Sequence, residues 1–174
     1  MFKKIKQTTK LENILFNNIL LLSRNELFYT KFNLSDSFQN RIHLIFIHIC
    51  FLFIKVKQDK NNQIFKHFYQ NTFDLIFNRV ELNLREIGHG DVMINKNMKY
   101  LVKTFYNVLI NCENYKDKNF DTKKSFFCKY LELKSKEKTS NILHLIDYFD
   151  KYRAFCFDLS SDSVLRGELN FKYR

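Results

Sequence analysis

Side chains able to do chemistry are thinly spread along this chain. Histidines stand at 43, 48, 67, 89 and 144, and no His-Glu-x-x-His occurs. His43 and His48 are five residues apart, a spacing that diverges on a helix and makes a poor metal pair. His48 falls on an apolar helix face and reads as a core histidine bonded to a polar neighbour. Cys50, Cys112, Cys128 and Cys156 form no C-x-x-C pair. Three of them sit in apolar-periodic segments and read as buried free thiols of a reducing compartment, not as a disulfide framework or a zinc site. Gly88-His89-Gly90 follows no strand and lacks a Gly-Lys-Ser/Thr, so it is no phosphate loop. No Gly-x-Ser-x-Gly elbow is present. Asp74, Glu81, Glu86 and Asp91, with Arg79 and Arg85, are better read as ion pairs that lock helices than as an acid/base pair. The expectation is a protein with no catalytic residues, no metal and no cofactor.

The elements that would hold these groups are helical. Leu84-Arg85-Glu86-Ile87-Gly88-His89-Gly90-Asp91 contains two of the three glycines in 174 residues, at the junction of two long apolar-periodic segments. Gly88 reads as the left-handed residue that ends one helix, and Asp91 as the cap of the next. Thr9 to Glu12 has the capping-box pattern, followed by Leu11, Ile14, Leu15, Ile19 and Leu22 on one face. A short element covers 25–31. Asp36 is then expected to cap a long helix whose stripe is Ile42, Ile45, Phe46, Ile49, Leu52, Phe53 and Val56. A second long helix is expected over 63–87, and a third after the corner with Met98, Leu101, Val102, Phe105, Leu109 and Cys112 aligned. Shorter helices are expected from Asp121 to Lys134, from a Ser140 cap onward, and from Ser161 to Asn170. Sustained period-two alternation is absent, and the best strand candidate is the short stretch 155–159. The fold class is all-α, a bundle of six to eight helices around three long ones. An N-terminal amphipathic helix takes 1–23 and the main helical domain 24–174.

Composition narrows the partners. The net charge of +11 favours anionic ones, such as nucleic acid, acidic lipid or the ribosome. The bland alternative is a solvated basic surface enlarged by AT-rich codon usage, which also explains much of the count of 20 Phe. The stretch 116–138, with eight lysines and four acidic residues, reads chiefly as solvated surface. Residues 1–10 are Lys-rich and Arg-free with no apolar stretch directly after them, so neither a secretory signal nor a mitochondrial presequence is expected there. The longest apolar run, Ile42 to Ile54, is short of the ~20 residues that cross a bilayer, so the expectation is a soluble or peripheral protein.

Three blocks, in order, carry a resemblance. The first is Arg24-Asn25-Glu26-Leu27-Phe28-Tyr29, then Asp36, then Arg41 leading into Ile47-His48-Ile49. The second is Phe73-Asp74-Leu75-Ile76-Phe77, and the third is the Leu84–Asp91 corner followed by Phe105-Tyr106. Over about residues 24 to 115 the chain resembles the ubiquinol–cytochrome c chaperone family. It departs from that family's pattern at Ser35, Asn40, Arg79, His89 and Asn107, mostly turn or surface positions.

The resemblance implies a non-catalytic assembly factor for cytochrome b in the biogenesis of ubiquinol–cytochrome c reductase (complex III). The implied partners are newly made cytochrome b, a small assembly partner and the ribosome, with peripheral contact to anionic membrane and no small-molecule substrate. Bacterial cytoplasm at the inner membrane is the implied place, with the matrix side of a mitochondrial inner membrane as alternative. Leu84, Arg85, Glu86, Gly88, Gly90 and Asp91 would form the structural corner, and Arg41, His48 and Asp74 a polar cluster beside it. Phe28 and Tyr29 are the first candidates for client contact. The rival class is a basic helical protein bound to nucleic acid or the ribosome; a third is a peripheral membrane anchor on the basic helix 9–22, which is compatible with the chaperone role.

Overall fold

The computed structural model describes residues 10–58, 62–134 and 139–173. They form α1 (Lys10–Ser23), α2 (Leu27–Thr30), α3 (Phe38–Lys57), α4 (Asn62–Glu86), α5 (Asp91–Glu113), α6 (Phe120–Tyr130), α7 (Thr139–Asp158) and α8 (Ser161–Leu165), with a 3-10 turn at Tyr115–Asp117. The expected all-α class and helix number hold. The one extended pairing among the described residues is an isolated bridge between Leu34 and Leu133.

α3 sits at the centre because it is apolar on every side. Each residue from 42 to 54 is buried, and α5, α1, α7 and α4 pack around it. By length and composition α3 could cross a membrane, but 83% of its apolar window is covered by the rest of the fold, which makes it a core helix. α4 and α5 bury the expected stripes, with Phe68, Thr72, Ile76, Val80 and Leu84 on the first and Leu101, Phe105 and Cys112 on the second. α1 shares this core through Leu15, Phe16 and Ile19. Leu11 and Ile14, expected on its buried face, remain partly exposed. Thr9 of the capping box lies outside the described residues.

Several helix ends differ from expectation for local reasons. Ser37, not Asp36, caps α3: its hydroxyl accepts from the Asn40 N–H at 3.2 Å, while Asp36 is taken by Arg41. α6 begins at Phe120, one residue before the expected Asp121, because Asn119 caps it through the Thr122 N–H. α6 stops at Tyr130 instead of Lys134 because Leu131 turns extended to bring Leu133 onto Leu34. Ser140 lies inside α7 rather than at its cap. The stretch 155–159, the strand candidate, mostly continues α7, since Leu145, Tyr148, Phe149, Tyr152 and Cys156 bury in unbroken helical register. α8 is shorter than expected because Gly167, at φ +73°, closes it.

Candidate functional site

The corner between α4 and α5 is built by backbone geometry and then locked by charge. Gly88 adopts φ +90°. Its N–H donates to Arg85 O at 3.0 Å and the His89 N–H donates to Leu84 O at 3.1 Å. This is the Schellman pattern, which needs a left-handed residue at that point. Gly90 is the N-cap of α5 and makes no side-chain bond. Asp91 is therefore the first helical residue and not the cap expected of it. Its carboxylate is held by Arg85 Nη1 at 2.7 Å, and the same guanidinium grips Glu81 at 2.8 Å. Arg85 in the last turn of α4 and Asp91 in the first turn of α5 each also suit their helix dipole. Leu84 is buried beneath the joint, whereas Glu86 and Ile87 are exposed.

The expected polar cluster is not assembled. Arg41 makes a bidentate pair with Asp36 at 2.7 and 2.9 Å, and Asp74 accepts from Gln70 at 2.7 Å. His48 is fully buried: Nδ1–H donates to Leu44 O at 2.6 Å and Nε2 accepts from the Tyr148 hydroxyl at 2.9 Å. This is the satisfied core histidine read from the sequence. Burial holds its pKa down to about 4, against an opposing pull from the Leu44 carbonyl. Cys50, Cys112 and Cys156 are buried free thiols, and Cys128 is exposed. No trio of His, Cys, Asp or Glu able to hold a metal occurs among the described residues.

Phe28 is no client surface. It is fully buried, with ring centroids 4.8 Å from Tyr148 and 5.5 Å from Phe32. Tyr29, partly buried, lies 6.0 Å from the Arg41 guanidinium. Sequence reasoning also missed Asn40, a buried clamp between the start of α3 and the 131–134 segment. Its amide donates to Ser35 O and Glu132 O at 2.7 and 2.8 Å and accepts from the Glu132 N–H at 2.8 Å. Asn40 shares the first turn of α3 with Gln39 and Arg41, so no local signal singled it out.

Beside the corner lies a surface groove of about 450 Å³. Phe16 and Leu20 of α1, Ile42 and Ile45 of α3, and Ile76 and Val80 of α4 form its floor, with Arg24, Arg41, Arg79, Glu86 and Ile87 also lining it. Arg41 is neutralised by Asp36, while Arg24 and Arg79 make no ion pair among the described residues. A hollow of this size with an apolar floor and a cationic rim suits a few large apolar side chains flanked by negative charge. The sequence hint was α1, whose Phe16, Ile19, Leu20, Leu21 and Leu22 supply more apolar surface than one neighbour can cover.

Fold and groove together describe an all-α domain with an apolar-floored hollow open to solvent. The family described as ubiquinol-cytochrome C chaperone matches residues 30–171, and the chain belongs to that family. The crystal structure of the Cbp3 homolog from Brucella abortus is similar, with a TM-score of 0.79 and 19% sequence identity over 94% of this chain and 89% of that one. At that identity the likeness shows the fold. No curated protein matches.

Proposed function

We propose that this protein is a non-catalytic assembly factor that shields an apolar segment of newly made cytochrome b during biogenesis of complex III. The observation that carries this reading is membership of the ubiquinol–cytochrome c chaperone family over residues 30–171. The groove supports it physically, because an incompletely assembled membrane subunit exposes apolar helices that need cover outside the bilayer. A small assembly partner and the ribosome belong to the same reading. So does a place at the cytoplasmic face of a bacterial inner membrane, or the matrix face in a mitochondrial host.

The test is purification of the tagged chain in mild detergent from cells that make complex III, with identification of what accompanies it. Cytochrome b should be enriched. Arg24→Glu with Arg79→Glu should lower that enrichment about tenfold, the effect expected when paired charge contacts are reversed, with the melting temperature unchanged. Enrichment of ribosomes or RNA alone, lost steeply with salt, would replace this reading with the basic nucleic-acid-associated one.

A further inference from the structure

We infer that the outward face of α5 is a docking surface for an anionic lipid bilayer. At 100° per residue Val92, Lys96, Lys99, Lys103, Tyr106 and Ile110 fall within one narrow arc of the helix, and all six are exposed. The stripe runs for about 27 Å along the axis. Val92 keeps 86% and Ile110 65% of their surface in solvent, with Met93 and Tyr100 exposed on the flank. α5 spends its other side on α3 and α4; Tyr106 leans toward α4, its ring 5.9 Å from that of Phe73, while Val92 and Ile110 stay open to solvent.

Charge settles what the partner is. Between Asp91 and Glu113, α5 contains no acidic residue. Both of those carboxylates are already engaged, Asp91 by Arg85 at 2.7 Å and Glu113 by Lys57 at 3.0 Å. Lys96, Lys99 and Lys103 take part in no ion pair among the described residues. Three uncompensated lysines among aliphatic and tyrosine side chains match the layered chemistry of a bilayer surface. The ammonium groups reach headgroup phosphates, the lysine stems and tyrosine rings lie at the interface, and Val92 and Ile110 enter the acyl boundary. A nucleic acid would engage the lysines and could stack on Tyr100 or Tyr106, but would leave Val92 and Ile110 in water.

The assay is binding of the full chain to phosphatidylcholine vesicles with and without phosphatidylglycerol. Wild type binds the anionic vesicles selectively. Lys96→Gln, Lys99→Gln and Lys103→Gln together weaken that binding about 100-fold, near one lipid-facing charge each. Val92→Ser with Ile110→Ser weakens it about tenfold. All these side chains are exposed, and a thermal melt of each variant verifies the fold. As a control, Lys3→Gln, Lys4→Gln and Lys6→Gln leave most of the binding intact.

The inference is overturned if wild type ignores the anionic lipid, if either α5 variant binds undiminished, or if the control variant alone abolishes binding. Binding of poly(U) RNA that needs the three lysines but not Val92 and Ile110, with vesicles left unbound, would assign the face to nucleic acid instead. The vesicles contain no cytochrome b and α5 contributes nothing to the groove, so failure here leaves the client reading standing.

Discussion

Two helices in this protein end by the same device in opposite surroundings. At the end of α4, Gly88 and His89 return their N–H groups to Arg85 and Leu84; at the end of α8, Gly167 and Glu168 return theirs to Val164 and Ser163, at 2.9 Å each. Both glycines are left-handed, at φ +90° and +73°. Around Gly88 there is open space: an added Cβ would meet nothing within 4 Å. At Gly167 it would meet the Leu15 backbone N at 2.8 Å. Asn18 of α1 also donates to Gly167 O at 2.7 Å. Gly88 thus answers only to its own dihedral, while Gly167 answers to a second helix pressed against it. The recognisable joint of the chain is the looser of the two, and its Arg85–Asp91 lock is solvent-exposed on both sides.

That contrast can be broken by substitution. The largest effect belongs to Gly167→Ala, which should cost about 3 kcal/mol or more, from left-handed strain plus collision with backbone that cannot step aside. Chemical denaturation measures it, and a loss no greater than that of Gly88→Ala would erase the distinction.

Next comes acid. The segment after Gly167 packs Phe171 and Tyr173 onto Tyr148, the residue whose hydroxyl holds neutral His48. A histidine whose folded pKa lies near 4 and unfolded pKa near 6.5 binds its proton more readily in the unfolded chain. Stability should therefore be intact above pH about 6.5 and fall by about 3 kcal/mol as pH drops toward 4. His43, also pushed down by burial, acts in the same direction. Denaturation midpoints at a series of pH values report the slope. His48→Gln should flatten it, and an unchanged slope in that variant would locate the titration elsewhere.

Gly88→Ala follows, at about 1–2 kcal/mol from dihedral strain alone. Smallest is Asp91→Ala. With no capping bond to lose and an exposed ion pair to break, its melting temperature should stay within about 2 °C of wild type and the difference should vanish in high salt. A larger drop would return to Asp91 the structural weight that its motif advertises.

The same contrast marks what could be read from residue order. α4 and α5 were legible because each repeats its apolar residues over six or more turns, long enough to show a period of 3.6, and α3 because its apolar run is too long for a strand. Gly88 was legible because a left-handed helix end has few chemical solutions. Asp36 and Asp91 misled because each adjoins the true cap, Ser37 or Gly90, and an arginine had already taken its carboxylate. The 155–159 stretch was too short to show its period without Tyr148 and Tyr152 upstream. Phe28 looked like a surface residue since nothing local reveals that three separate segments close over it. The groove floor, drawn from α1, α3 and α4, and the demand on Gly167 exist only once distant helices meet.

Asn18 and Gly167 stand 149 residues apart in the chain. At a synthesis rate of about 5–20 residues per second, α1 is made roughly 7–30 seconds before its counterpart. During that interval α1 lacks its C-terminal neighbour at Leu15, although α3 and α4, which line the groove with it, have already been made. Closure of the Gly167 turn on Leu15 is therefore among the latest ties of α1 that synthesis allows.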